Sequence, residues 1–185
     1  MSRIIVLSGS PSPVSRTASL ADLVADTLPD AVHLRLRELP AAPLLSADRG
    51  DQAITRATEK VAAADGVVLV TPIYKASFSG LLKIFLDLLP QDGFAGKTVA
   101  PLAVGRSIAH LLAIDYGLRP VVQSMSPKQV LRGHFLLEQH LSFDSTGRLR
   151  IEEEGQTRVT ESLTELLDSL ALHATRPRAL TDLPG

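Results

Sequence analysis

The run Val67-Val68-Leu69-Val70, followed at once by Thr71-Pro72-Ile73-Tyr74-Lys75, narrows the choice of fold more than any other stretch. Four consecutive aliphatic residues, three of them β-branched, are too few for a helix and leave no polar face, so they read as a strand buried on both sides. Such strands belong to parallel sheets covered by helices. Thr71-Pro72 is expected to stop the strand, because proline removes a ladder donor and restricts the residue before it. Tyr74 and Lys75 then fall at its carboxyl end, where open α/β sheets bind their ligands. An aromatic ring, a cation and free backbone groups suit a flat ligand with polar edges. The next helix is expected to start near Ser77 or Ser79, to bury Leu81, Leu82, Phe85, Leu86, Leu88 and Leu89, and to end at Pro90.

The N-terminal stretch repeats the theme. Arg3 to Leu7 is a short β-branched run, and Ser8-Gly9-Ser10-Pro11-Ser12-Pro13-Val14-Ser15-Arg16-Thr17 follows it directly. Leu20, Leu23, Val24, Thr27 and Leu28 then recur at helical spacing, with Ser15 or a neighbour as the N-cap. Strand, hydroxyl-rich loop and helix N-terminus together make an anion site, since unpaired amides and hydroxyls point at one place and Arg16 can add a charge-assisted contact. The loop lacks the glycines and lysine of a P-loop and the Gly-x-Gly-x-x-Gly dinucleotide fingerprint.

Further along, residues 31–36 alternate as an edge strand should, 39–50 reads as a Pro-rich loop, and 51–64 as an amphipathic helix opened by Asp51. Val99 to Val104 is a fourth strand with Gly105-Arg106-Ser107 at its carboxyl end, Pro101 being the one objection to it. Ile108 to Ser124 reads as a helix kinked or split by Pro120, Gln129 to Leu136 as a fifth strand, and Ser142 to Ile151 as a hairpin turning at residues 145–147. A last helix, about Glu153 to His173, carries leucines 163, 166, 167 and 170 on one face. The sum is a strand–helix unit repeated about five times, hence an α/β fold: a five-stranded parallel sheet with helices on both faces, a flavodoxin-like three-layer sandwich of order 2-1-3-4-5. That order sets the first, third and fourth strand ends side by side.

Composition removes several classes of function. A net charge of -1 argues against an electrostatic nucleic-acid binder. No apolar run is long enough to span a bilayer, so no membrane partner is expected. With no cysteine, disulfides, thiol catalysis and cysteine metal sites are excluded, and the cytoplasm is the simplest expected location. His110 sits among Ala and Leu as a hydrogen-bonded structural histidine should, and histidines 33, 134, 140 and 173 lack ligand spacing, so no metal is expected.

Over roughly its first 170 residues the chain resembles the NAD(P)H-dependent FMN reductases of the flavodoxin-like superfamily. Gly9-Ser10-Pro11 with Ser15-Arg16-Thr17 is similar to the family's FMN phosphate loop. Thr71-Pro72-Ile73-Tyr74-Lys75, continued by Ser77, Gly80, Leu82, Lys83 and Asp87, is similar to its isoalloxazine loop and following helix. Pro101-Leu102-Ala103-Val104-Gly105 with Ala109 to Ala113 and Asp115-Tyr116 resembles a narrower subgroup, the flavin reductases that serve sulfonate-utilising two-component monooxygenases. The resemblance implies a reductase domain over residues 1–174, and residues 175–185, with their prolines and turn formers, read as a flexible tail. It further implies FMN and NADPH (or NADH) as reactants, hydride transfer by positioning without an acid–base pair, a homodimer or homotetramer, and a flavin-dependent monooxygenase as partner.

Carried over residue by residue, Ser8, Ser10, Ser15, Arg16 and Thr17 hold the phosphate. Pro72, Ile73, Tyr74 and Lys75 pack around the ring, while Gly105, Arg106 and Ser107 line its pyrimidine side. Tyr116 matches an inserted tyrosine that opens a π-helix bulge at the subunit interface, in a mechanism where reduced FMN leaves. Lys75 either stabilises negative charge on reduced flavin or is a solvated loop lysine. Two departures stand out. Ser12 replaces a frequent arginine, which shifts phosphate charge toward Arg16. Arg106 replaces a frequent second glycine and can crowd the pyrimidine edge, bind its carbonyls or bind the nucleotide's phosphate. The rival enzyme is a quinone or azo-dye reductase with tightly bound FMN. An electron carrier of the flavodoxin type is disfavoured by 19 basic against 20 acidic residues, since such carriers are usually strongly acidic.

Overall fold

The computed structural model describes residues 2–175, and its centre is a strand pair formed by β1 (Ile4–Ser8) and β3 (Gly66–Tyr74). β1 is flanked on its other side by the edge strand β2 (Val32–Arg35), and β3 by β5 (Thr98–Gly105); all of these pairings are parallel. The outermost position is shared by two short strands, β6 (Gln129–Val130) and β7 (His134–Leu137), both parallel to β5. Counting that split strand as one, the order is the expected 2-1-3-4-5. A two-residue strand, β4 (Ser77–Phe78), folds back antiparallel on the end of β3.

Alternation along each strand assigns the two faces. Ile5, Leu7, Val67, Leu69 and Val99 point to a core shared with α2 (Ala41–Ser46), α3 (Gln52–Ala63), α4 (Gly80–Leu88) and α5 (Arg119–Gln123). Ile4, Val6, Val68, Val70, Ala100 and Leu102 point the other way, to α1 (Arg16–Thr27) and α6 (Glu153–Thr175). Each fully buried leucine in these layers, such as Leu166, stabilises the fold by about 2 kcal/mol. Between β7 and α6 lies the small antiparallel hairpin of β8 (Leu141–Phe143) and β9 (Leu149–Ile151), with Gly147 at positive φ in its turn.

Helix starts follow local chemistry. The Asp51 carboxylate accepts from the amides of Ala53 and Ile54 and so caps α3. At the far end of α3, the buried Lys97 ammonium donates to the carbonyls of Ala62 and Ala64 at 2.8 and 2.7 Å, neutralising acceptors the helix leaves open. Burial lowers the Lys97 pKa from its ordinary value. Two largely buried histidines, His33 and His134, likewise titrate below the usual imidazole range because burial disfavours the charged ring.

Several expectations are corrected. β3 does not stop at Thr71-Pro72 but runs to Tyr74: β1 pairs only as far as Val70, so Pro72 has lost that neighbour and keeps β5 alone. Pro101 is tolerated for the same reason, since it falls between the β5 residues paired with β6 and those paired with β7. The fifth strand is accordingly broken at residues 131–133. Residues 39–50 are not all loop, because α2 turns once and places Leu44 in the core. Leu167 is 40% exposed, one residue round the helix from Leu166, and does not share the buried face of leucines 163, 166 and 170. Residues 108–124 are not one helix: a 3₁₀ turn (Ile108–His110), a π-helix (Ile114–Leu118) and α5 succeed one another. Beyond Thr175, which closes α6, the expected tail lies outside the described residues.

Candidate active site

β1, β3 and β5 all end at the same edge of the sheet, and direct contacts tie their exits together. The Gly9 amide donates to the Val70 carbonyl at 2.8 Å. Ser79 does more than start a helix. Its hydroxyl donates to the Gly9 carbonyl at 2.6 Å and accepts from the Leu82 amide at 3.1 Å, so one side chain caps α4 and staples the first loop to the third strand. The Thr71 hydroxyl in turn accepts from the Ser79 amide at 3.1 Å. A Cβ on Gly9 would stand 3.0 Å from both Leu82 Cβ and Ser79 Oγ, which is why this position carries none. The sequence marks Ser79 as a cap through the apolar helix after it, but its partner Gly9 is 70 residues away and leaves no local signal.

On the first loop, Ser15 caps α1 by accepting from the Ala18 amide at 3.1 Å. The Ser10 and Ser15 hydroxyls lie 2.8 Å apart, and Ser10 also reaches the Ser12 carbonyl. The amides of Arg16 and Thr17 have no acceptor among the described residues, as expected of the first positions of a helix. Ser8 and Thr17 are turned inward, and the fully buried Ser8 hydroxyl has no hydrogen-bond partner. Open amides at a helix start and serine hydroxyls fit a phosphate group. Arg16 is placed differently from the expectation. Its Nε donates to the Leu141 carbonyl at 2.6 Å and its Nη1 to Glu138 at 2.8 Å, so the loop's cation is already engaged by a carboxylate.

At the exit of β3, Ile73 is buried and Tyr74 is half-exposed. Lys75 and Ala76 form a two-residue turn into β4, with φ of 50° and 61°. Type I′ hairpin turns need positive φ at both positions and usually recruit Asn and Gly; here two residues with full side chains are held there, at a cost of about 1 kcal/mol each. Next to them, Gly105 ends β5 so tightly against Phe135 that a Cβ would lie 2.5 Å from its Cζ. Pro72, Ile73 and Gly105 therefore make a close, largely apolar ledge, and Tyr74 and Lys75 stand at its rim. Ser107 spends its hydroxyl on the Ala109 amide. Arg106 is 90% exposed and lies 3.2 Å from the second oxygen of Glu138.

The π-helix closes the rim. Gly117 lies over β4, close enough that a Cβ would be 3.7 Å from Ser77 Oγ and 3.9 Å from Phe78. Tyr116 points away from this contact and is 79% exposed, near the exposed Ile108, Leu111 and Leu112. His110, half-buried in the 3₁₀ turn, makes no side-chain hydrogen bond among the described residues, unlike the structural histidine expected there. Among those residues no helix is long and apolar enough to cross a membrane.

A mostly parallel sheet of this order with helices on both faces, and with the loops after β1, β3 and β5 at one edge, defines a flavodoxin-like α/β protein. Comparison with known proteins specifies the family. A sequence profile for NADPH-dependent FMN reductase matches residues 2–141. The chain is 41% identical over 137 residues to FMN reductase (NADPH) from Escherichia coli (strain K12), covering 72% of each protein. It is 37% identical over 187 residues to FMN reductase (NADPH) from Pseudomonas putida (strain KT2440), covering 98% of this chain and 92% of that one. The crystal structure of the NADH:FMN oxidoreductase EMOB in its apo form superposes with a TM-score of 0.81 at 37% identity, covering 91% of this chain and 90% of that one. The chain belongs to the NADPH-dependent FMN reductase family. It is an oxidoreductase that uses FMN and a reduced nicotinamide nucleotide.

Proposed function

We propose that the protein reduces FMN as a diffusible substrate and hands the reduced flavin to a flavin-dependent monooxygenase of the sulfonate or organosulfur type. The observation that carries this reading is the π-helix Ile114–Leu118, seated on the hairpin at the ring ledge with Tyr116 exposed beside an uncovered apolar strip. Irregular windings of this kind concentrate at functional sites. The exposed side chains of Ile108, Leu111, Leu112 and Tyr116 are the surface through which the chain forms a homodimer or homotetramer.

In this reading the amides of Arg16 and Thr17 and the hydroxyls of Ser10 and Ser15 receive the phosphate. Pro72, Ile73 and Tyr74 flank the ring, the Gly105 backbone lies beside it at the end of β5, and Lys75 sits where it can offset negative charge. The chemistry FMN supplies there is acceptance of a hydride from the nicotinamide, so the protein's task is to stack, orient and exclude water.

The test is oxidation of NADPH and NADH with and without added FMN, on protein first assayed for retained flavin. Colourless protein that turns over only with added FMN is expected, and a Tyr116→Ala variant should then retain flavin. Protein that is isolated yellow, and passes electrons to quinones or azo dyes, would overturn the reading in favour of a reductase with a fixed prosthetic group.

A further inference from the structure

Glu138, the residue that follows β7, lies between two arginines from different parts of the site. One carboxylate oxygen accepts from Arg16 Nη1 at 2.8 Å and the other lies 3.2 Å from Arg106 Nε. The three side chains, with Gln139, line an open cavity of about 250 Å³. Arg16 is the first residue of α1, directly after the cap Ser15, and so stands at the helix start where the phosphate loop presents its free amides. Ser12 of the same loop is uncharged, and its hydroxyl donates to the Val14 carbonyl. The charge at this corner is therefore two guanidinium groups offset by one carboxylate.

We propose that Glu138 is a positioning residue that holds down affinity for the flavin phosphate by neutralising Arg16. The inference rests on the proposed flavin site and adds a device to it: the carboxylate occupies the cation that a phosphate ester would otherwise use. Glu138 is about one-third exposed and the pair is only partly desolvated, so the effect is electrostatic and moderate. Removing the carboxylate charge leaves Arg16 bonded to the Leu141 carbonyl with its charge unopposed at the helix start. A phosphate there gains attraction even if the guanidinium does not move. Easy release of flavin then follows from a charge balance as well as from the ring side.

The experiment is a titration of the full chain and its Glu138→Gln variant with FMN and with riboflavin, which shares the ring but lacks the phosphate. The variant should bind FMN on the order of fivefold more tightly at low ionic strength, and the gain should fade as salt is added. Riboflavin affinity should not change. Arg16→Gln alone should alter FMN affinity by less than about twofold, and added to Glu138→Gln it should erase the gain. If the variant binds FMN no better, tightens riboflavin equally, or keeps its gain without Arg16, Glu138 is a structural clamp and the inference is wrong. If the unaltered chain binds neither flavin, the proposed site itself fails and this inference falls with it.

Discussion

The loop after β1 and the hairpin after β3 meet at one edge of the sheet, yet they are built on different terms. The first uses ordinary devices: a serine N-cap, hydroxyls bonded to one another, and an arginine held by a carboxylate. The second keeps two non-glycine residues at positive φ, a glycine jammed against a phenylalanine, and a π-helix laid across the strand that folds back. Under the proposed site, the relaxed side would take the phosphate as a handle and the strained side would take the ring, where selectivity resides. Strain persists only where the surroundings enforce it.

The contrast can be broken most forcefully through Gly133→Ala. A Cβ there would lie 2.3 Å from Ile114 Cγ2, at the first residue of the π-helix and in a buried cluster with Ile73 and Phe135. We expect a loss of about 2–3 kcal/mol in chemical denaturation. Unchanged stability would mean that the π-helix is free to shift and that the ring side is softer than described. Ser79→Ala, which removes both the α4 cap and the bond to Gly9, should cost about 1–2 kcal/mol. It should also weaken FMN binding, because the two sides lose their staple. Ala76→Gly should act in the opposite direction. Relief at φ 61° is worth about 1 kcal/mol, seen as a melting temperature higher by about 3 °C.

The smallest effect is expected from pH and lies away from both sides. His134 faces Glu161 and Glu165 of α6, with Arg132 and Arg158 also near, and burial nonetheless keeps its pKa below the ordinary 6.5. His33, between Arg35 and Asp22, is lowered in the same way. For a histidine depressed in the folded state, the unfolded chain takes up the proton first. Stability is therefore full above about 6.5 and declines as pH falls from there through the folded values. Melting temperatures recorded between pH 7.5 and 5 should drift downward, and a His134→Gln variant should drift less. A flat profile would show that both rings accept protons without penalty.

The same contrast explains what could be read from the residues alone. Strand order, the Ser15 and Asp51 caps and the turn at 145–147 were legible because their causes lie within a few residues. Pro72 misled because the harm a proline does in a sheet depends on whether a neighbouring strand is present at that rung, and β1 had already ended. In residues 108–124 the helical spacing of apolar side chains marks the buried Ile114, Leu118 and Val122, yet Leu111 and Leu112 are uncovered and the winding is irregular, so periodicity reported burial only in the second half. Arg16 reads as a phosphate contact because its partner Glu138, 122 residues away, leaves no local trace. Long-range pairing also decided Ser79. The meeting of the three strand exits was therefore recognisable by resemblance and by strand-end logic, while its strain and its cross-links were not.

The way α6 closes the sheet bears on how the chain is made. Val6, Val68, Ala100 and Leu102 on the sheet lie in one cluster with Leu163, Leu166 and Leu170 of α6, and Leu170 presses on Gly66 at the start of β3. During translation every strand of the main sheet leaves the ribosome before that helix does. The part of that face which α1 leaves uncovered thus stays bare until α6 emerges, an invitation to chaperones and to neighbouring chains alike.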